Sequence, residues 1–287
     1  MKTLLNKRIA VIGVGNVGRM LLEHLRKMGV PADHLVVCDI EPDRARAAVE
    51  QVGAAIIDLD QSTACQADVW LLSPGPKAIL PVLQKIAPRL KAEDLIVSFA
   101  AAVPMHNLEE CLPERVSLAR VMPNMPSLVG QGMNPVCFSD NASPEARAFM
   151  MELLEALGET VEVRDEQMNW CAGLSGAAMR SVLPAIEGMV RAGIEAGLSE
   201  ENARLVAAQV VLGTASLVKH THLPFADLKA LTPMETLIEA QLSEQFYQAA
   251  VGVKNKIDAL QGKIVTAWPD HPRNCIVKLK IKPGRQT

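Results

Sequence analysis

The sequence predicts a doubly wound parallel α/β sheet followed by an all-α second half. Three observations carry this. Short β-branched apolar runs alternate with helical stretches through the first half, and a glycine-rich turn directly follows the first run. After Asp165 the strand signals fade, and apolar residues recur at helical spacing.

The runs are Arg8–Gly13, Leu35–Asp39, Ala55–Asp58, Val69–Ser73, Leu95–Phe99 and Ser117–Met122. Their length and composition suit strands buried on both faces. Val17–Met28, Asp43–Val52, Lys77–Leu90 and Met105–Cys111 lie between them with helical patterning, an alternation that implies right-handed βαβ units. Ser143-Pro144-Glu145 combines a cap, a first-turn proline and an early acid, opening a helix that runs to Leu157 before Gly158. Thr160–Val163 reads as a short edge strand. Ala185, Met189, Ala192 and Ile194 are apolar positions that recur at helical spacing up to Gly197, and Ser199-Glu200-Glu201 opens the next helix over Glu201–His220. Thr236–Leu260 predicts a third long helix. The tail Gly262–Thr287, six Lys or Arg against one Asp, reads as a short strand at Ile276–Ile281 or an exposed basic tail. The expected division is 1–165, 166–261 and 262–287.

Composition narrows the function. The 287 residues are 49% apolar and 21% charged, enough for a sizeable core and unlike a disordered chain. Lys and Arg number 29 against 32 Asp and Glu, and the aromatic residues are three Trp, one Tyr and five Phe. That balance argues against a basic nucleic-acid face or a base-stacking platform. Cys38, Cys65, Cys111, Cys137, Cys171 and Cys275 share no close spacing, which argues against zinc or a disulfide framework and for a reducing, cytoplasmic setting. The first residues lack the apolar run of a signal peptide, and Val121–Ser139, although uncharged, holds Pro123, Pro126 and Pro135 and does not read as a membrane span. The expectation is a soluble protein acting on a small molecule, with no metal, nucleic acid or membrane.

The strongest local signal is Gly13-Val14-Gly15-Asn16-Val17-Gly18, after a strand and at the head of a helix. Gly13 allows the tight turn, Gly15 lets a pyrophosphate approach the backbone, and Gly18 lets helix and strand pack closely, with the phosphates at the positive end of the helix. Asp39 ends the next strand, where a carboxylate accepts hydrogen bonds from an adenosine ribose and repels a 2′-phosphate. Ile40, not Arg, follows it; Arg44 and Arg46 either offset that repulsion or are solvated helix charges. This is a Rossmann-type site that favours NAD, with NADP possible. Ser73, Pro74 and Pro76, then Ser98 and Ala100, then Met122, Pro123 and Asn124 follow successive strands and complete the cofactor side. Asn124, held between two prolines, is the candidate for nicotinamide-side chemistry, or else a buried turn residue.

Over about residues 8–260 the chain resembles the pyrroline-5-carboxylate reductases. The resemblance is carried by Ile12–Gly18, the turn near Pro76, Ser98–Val103 (SFAAAV), Gly173–Gly176 (GLSG), Gly197-Leu198 and Gln209–Gly213, and above all by Arg120–Gly132 (RVMPNMPSLVGQG). It implies a Rossmann domain followed by a helical dimerisation domain, assembled as a homodimer or a larger homo-oligomer. It also implies hydride transfer from a nicotinamide to a cyclic imine acid, with proline as product. Two segments depart from the pattern. The family's S-G-S-G-P-A-Y stands here as Ser175-Gly176-Ala177-Ala178-Met179-Arg180-Ser181, and its S-P-G-G-T-T as Thr232-Pro233-Met234-Glu235-Thr236-Leu237. In the family those glycines and hydroxyls hold the substrate carboxylate and the imine nitrogen.

Thr232 and Thr236 keep hydroxyls near that position and, with Asn124, are the candidate catalytic residues; Thr236 equally reads as a helix cap. Arg180, Ser175 and Glu235 are the substrate candidates, Arg180 pairing with Glu235, binding a substrate acid, or extending to solvent. A protonated imine accepts hydride with little more than positioning and a donor at the developing amine, whereas a ketone needs a Lys or His acid. No Lys lies between Ala92 and Val218, and His106, His220 and His222 sit in no motif. Two alternatives stay open: a dehydrogenase of another small acid on the same fold, and a nicotinamide-binding regulatory protein with an altered catalytic half.

Overall fold

The computed structural model describes residues 2–60, 66–232, 234 and 237–267. The chain forms two compact units, one from residues up to Gly176 together with those from Val253 onward, the other Ala177–Gly252.

The first unit is built on strands β1 (Ile9–Ile12), β2 (Leu35–Cys38), β3 (Ala55–Ile56), β4 (Val69–Leu72), β5 (Leu95–Ser98), β6 (Ser117–Val121), β7 (Gly132–Phe138) and β8 (Gly158–Glu162). They form one sheet in the order β3-β2-β1-β4-β5-β6-β7-β8. All neighbours are parallel except β6 and β7. The order reverses between β1 and β4, so the connections leave their carboxyl ends in opposite directions and open a crevice there. Helices α1 (Lys2–Leu5), α2 (Asn16–Lys27), α3 (Pro42–Val52), α4 (Ile79–Ile86), α5 (Met105–Glu109), α6 (Pro144–Leu157) and α7 (Met168–Cys171) complete the unit. Alternation along each strand supplies two cores. Ile9 and Val11 face Leu21 and Leu25 of α2 and Phe149 and Leu153 of α6, whereas Ala10 and Ile12 face the side that holds Leu80 and Leu83 of α4. Ser143 caps α6 as expected, its hydroxyl accepting the Ala146 N–H at 3.1 Å.

β7 lies inside the uncharged stretch Val121–Ser139, in which no strand is expected beyond Met122. Pro135 is accommodated because it sits where β6 ends, and its carbonyl accepts the Met122 N–H at 3.0 Å. The edge strand begins at Gly158 rather than Thr160. The two compact units divide after Gly176 and again after Gly252. Asn169 donates its side-chain N–H groups to Asp258 at 2.9 Å and Gln261 at 2.7 Å, and Met168, Ala172 and Ile264 are buried in the core of the first unit. Residues 166–176 and the end of the last helix therefore belong there. The expected strand at Ile276–Ile281 lies outside the described residues.

The second unit holds α8 (Ala178–Glu195), α9 (Glu200–Thr221), α10 (Phe225–Ala230) and the first half of α11 (Glu239–Thr266). The short α10 is not expected from the sequence, and the third long helix starts at Glu239 instead of Thr236. α8 and α9 approach closely at Gly193, where a Cβ would lie 2.9 Å from that of Ala203. Elsewhere α9 is unusually apolar at its surface: Leu205, Val206, Val210 and Leu212 are each more than half exposed in the single chain. No helix among the described residues is long and apolar enough to cross a membrane.

One charged pair lies inside the first unit. Arg120 on β6 is 2% exposed, and its Nη1 pairs with Oδ1 of Asp165, whose side chain is 25% exposed. Deleting one partner of a buried pair strands the other charge in the core. Asp165→Ala, which strands the guanidinium, is expected to cost about 3–5 kcal/mol in urea unfolding. Arg120→Met is expected to cost less, because Asp165 retains access to water.

Candidate cofactor crevice and its neighbours

Gly13 follows β1 at φ +90°, donates its N–H to Cys38 at 2.8 Å and accepts the Ser73 hydroxyl at 2.6 Å. A Cβ at Gly13 would stand 2.6 Å from the Pro74 nitrogen, and one at Gly18 would stand 2.0 Å from the Gly13 oxygen. Both glycines are thus required by the protein's own packing. Gly15 is different: a Cβ there would meet nothing within 4 Å. It is also the N-cap of α2, which has no side-chain cap and no acid in its first turn. The positive end of a twelve-residue helix therefore opens onto free space, the arrangement that receives phosphate. The residues fit a dinucleotide.

A cleft of about 650 Å³ runs from Gly13 and Gly15 past Ser73 and Pro74 to Asp39 and Ile40. A hollow of about 410 Å³ beside it is lined by Val14, Gly15, Asn16, Arg19 and Arg44. Asp39 is held on both oxygens, Oδ2 accepting the Val14 N–H at 2.5 Å and Oδ1 the Glu41 N–H at 2.9 Å. The carboxylate expected at the ribose is therefore a strut for the glycine turn. Ile40 beside it is 93% exposed. Cys38 lines the cleft, but burial pushes its thiol up, away from the thiolate form.

Beyond the β1/β4 switch lie the other cofactor-side candidates. Pro76 opens the single turn Pro76–Ala78. The Ser98 hydroxyl is fully buried and accepts the Ala100 N–H at 3.4 Å, so it caps the turn that follows β5. Ala102 in that loop has φ 65°, an uncommon conformation for a residue with a Cβ. Met122 is buried and Pro123 half-buried, and Asn124 heads the turn Met125–Val129. Its Oδ1 accepts the Met133 N–H at 3.0 Å and its Nδ2 donates to the Ser175 carbonyl at 3.3 Å. Ser175 sits in a π-helical turn, Ala172–Gly176, and its hydroxyl donates to Cys171 at 2.8 Å. The structure thus brings Asn124 and Ser175 together through their backbone and amide groups. Asp165, which holds Arg120 and accepts the Met105 N–H at 2.9 Å, escaped the sequence reading. Arg120 inside a core strand was the available signal that an acid must lie nearby.

In the second unit, Arg180 is exposed in the first turn of α8 and makes no ion pair with a described residue. Thr232 is exposed after α10, its N–H donated to Lys229 at 3.0 Å. Glu235 and Thr236 lie outside the described residues. His106 and His220 are exposed, and His222 ends α9 in the left-handed conformation. Among the described residues no three His, Cys, Asp or Glu come together as a metal site. Burial pushes the Cys111 and Cys137 thiols up to about 12, so neither is a nucleophile at neutral pH.

Comparison with known proteins addresses both units. The family described as "NADP oxidoreductase coenzyme F420-dependent" matches residues 8–102, and that described as "Pyrroline-5-carboxylate reductase dimerisation" matches residues 165–243. The pyrroline-5-carboxylate reductase of Haemophilus influenzae is 33% identical over 74% of this chain and 79% of its own length. That of Escherichia coli is 31% identical over 86% of this chain and 94% of its own. Among solved structures, the pyrroline carboxylate reductase of Plasmodium falciparum with NADP bound aligns with a TM-score of 0.74 at 20% identity, covering 90% of this chain and 99% of that one. The fold is therefore shared, with relatives above 30% identity aligned over most of their length. The chain belongs to the pyrroline-5-carboxylate reductase family.

Proposed function

We propose that the protein is an NAD(P)H-dependent oxidoreductase that reduces the C=N bond of a cyclic imine acid, pyrroline-5-carboxylate being converted to proline. The observation that carries this is the open cradle at Gly15, at the uncapped head of α2 beside Asp39, in a chain of this family. A bound dinucleotide would supply hydride; a substrate imine already protonated on nitrogen would accept it at carbon, the C=N electron pair passing to that nitrogen to give the amine with no further proton needed. The protein has three tasks. The glycine turn and α2 hold the pyrophosphate, and Asp39 accepts the ribose hydroxyls. Asn124, fixed by Met133 and Ser175, orients the turn on the nicotinamide side. Thr232 and Thr236 would provide hydroxyl donors at the developing amine, with Glu235 between them in sequence and Arg180, in the first turn of α8, as the groups that set which acid is accepted. Imine reduction also suits a chain without Lys between Ala92 and Val218.

Asp39 favours NAD over NADP. Its carboxylate is fixed by two backbone N–H groups and cannot turn away from a 2′-phosphate without releasing the glycine turn. Arg19 and Arg44 in the neighbouring hollow temper that preference. The assembly is a homodimer or a multiple of one, in which a second copy covers the apolar surface of α9; the matched dimerisation family supports this.

NADH oxidation followed at 340 nm with pyrroline-5-carboxylate, and then with NADPH, tests the reading. Turnover with NADH as the better reductant is expected. Tight NADH binding without turnover across a panel of cyclic imine acids would instead favour the regulatory reading. Gly15→Ala is expected to leave thermal stability unchanged, because its Cβ touches nothing, while weakening NADH binding at least tenfold by crowding the pyrophosphate. Gly18→Ala is expected to lower stability in the same melt, its Cβ colliding with the Gly13 carbonyl. Asp39→Asn removes a charged acceptor worth about 1.5–3 kcal/mol. NADH affinity is therefore expected to fall about tenfold or more, with the NADH-to-NADPH ratio narrowing in equilibrium titration.

A further inference from the structure

The geometry points to Arg120 and Asp165 as positioning residues for the nicotinamide half of the crevice, an inference that rests on reading the crevice as a dinucleotide site. Arg120 lies on β6 in register with Ser98 of β5 and Cys137 of β7, and its strand leads directly into Met122-Pro123-Asn124. Asp165 takes Arg120 Nη1 on Oδ1 and the Met105 N–H on Oδ2 at 2.9 Å, and the Cys137 thiol approaches Oδ1 at 3.6 Å. Met105 closes the loop that begins at Phe99 and contains Ala102. Asp165 itself precedes α7 and the π-helical turn, whose Ser175 carbonyl receives the Asn124 amide. One carboxylate thus ties β6, one residue before its end, to the segments that follow β5 and β8. None of the hydrogen bonds of the pair reaches the Gly13–Gly18 turn or Asp39.

Stability alone does not account for this arrangement. Arg120 Nε and Nη2 are buried with no hydrogen-bond partner among the described residues. Buried ion pairs are often replaceable by apolar side chains of similar volume without loss of stability. What apolar side chains cannot reproduce is directional attachment of the Met105 N–H and the end of β6 to a single carboxylate. A dinucleotide spans both halves of the crevice, so a displaced nicotinamide half weakens the whole ligand while leaving the adenine half intact.

The test compares ADP-ribose with NADH on the full-length protein, by equilibrium titration and by the fluorescence of bound NADH. In Arg120→Met/Asp165→Leu, stability in urea is expected to exceed that of Asp165→Ala. ADP-ribose affinity is expected to stay within about twofold of wild type, NADH affinity to fall about tenfold, and the fluorescence enhancement of bound NADH to drop. Wild-type affinity for both ligands in that double variant would overturn the proposal and leave the pair a purely structural one. If the double variant does not fold, Arg120→Lys provides the same comparison, keeping the charge but not the planar fork. Selective loss of NADH binding there supports positioning, and unchanged affinity for both ligands overturns it. No imine enters these measurements, so an error in the proposed substrate leaves them unaffected. A wild-type protein that binds neither ligand would overturn both this inference and the dinucleotide site beneath it.

Discussion

The contact between the Gly13 carbonyl and Gly18 sets the geometry on which the rest of the crevice depends. With a Cβ at Gly18 only 2.0 Å from that oxygen, α2 can leave β1 at this angle only if residue 18 carries no side chain. The same oxygen accepts the Ser73 hydroxyl, which ties the end of β4 to the end of β1 at the point where the strand order reverses. β1, α2 and β4 are thereby joined through one carbonyl. The opening of the crevice and the direction of the α2 dipole both follow from that junction. Asp39 adds a second tie from β2, through the Val14 N–H.

The two halves of the crevice are held by different physics. On the adenine side the ties are short hydrogen bonds between backbone groups and small polar side chains, within a few residues of the strand ends. On the other side the chain runs through longer loops, and order comes from Asn124 and Asp165, whose partners lie far away in sequence: Ser175 for the amide, Arg120 and Met105 for the carboxylate. A buried guanidinium demands a counter-charge wherever the chain can bring one. Here it comes from Asp165, which opens the helical turn that follows the last strand of the sheet, so a core strand is tied to the start of the helical run.

That difference explains what could be read in advance. The glycine turn, the strands of the parallel sheet and the Ser143 cap are local patterns, in which each residue's partner lies within a turn or a strand pairing of its neighbours. β7 is not expected from the sequence because Pro135 and the nearby glycines interrupt the β-branched run that marks the other strands, and its pairing with β6 and β8 places the missing N–H where β6 ends. Residues 166–176 look helical, as they are, but nothing nearby reveals that Asn169 binds Asp258 and Gln261 near the other end of the chain. Asp165 was legible only as the complement of Arg120. On the substrate side the motif comparison located the departures at Ala177–Ser181 and Met234–Leu237, and the structure adds that Arg180 and Thr232 are exposed in the single chain.

Gly15 and Ala102 show how fold and ligand leave separable marks. Gly15 adopts φ −75°, open to any residue, and has no neighbour within reach of a Cβ, so neither conformation nor packing within the protein asks for glycine. A glycine that the fold does not need, at the head of an uncapped helix, is explained by something that must come closer than a methyl group permits. Ala102 is the converse. Its φ of 65° would suit glycine, yet a fully buried methyl group stands there, in a loop closed at Met105 by Asp165. The left-handed conformation costs an alanine roughly 1–2 kcal/mol. The burial of its methyl group in the core under the sheet offsets part of that cost. The first mark belongs to the ligand and the second to the core, and they fall on opposite sides of the β1/β4 switch.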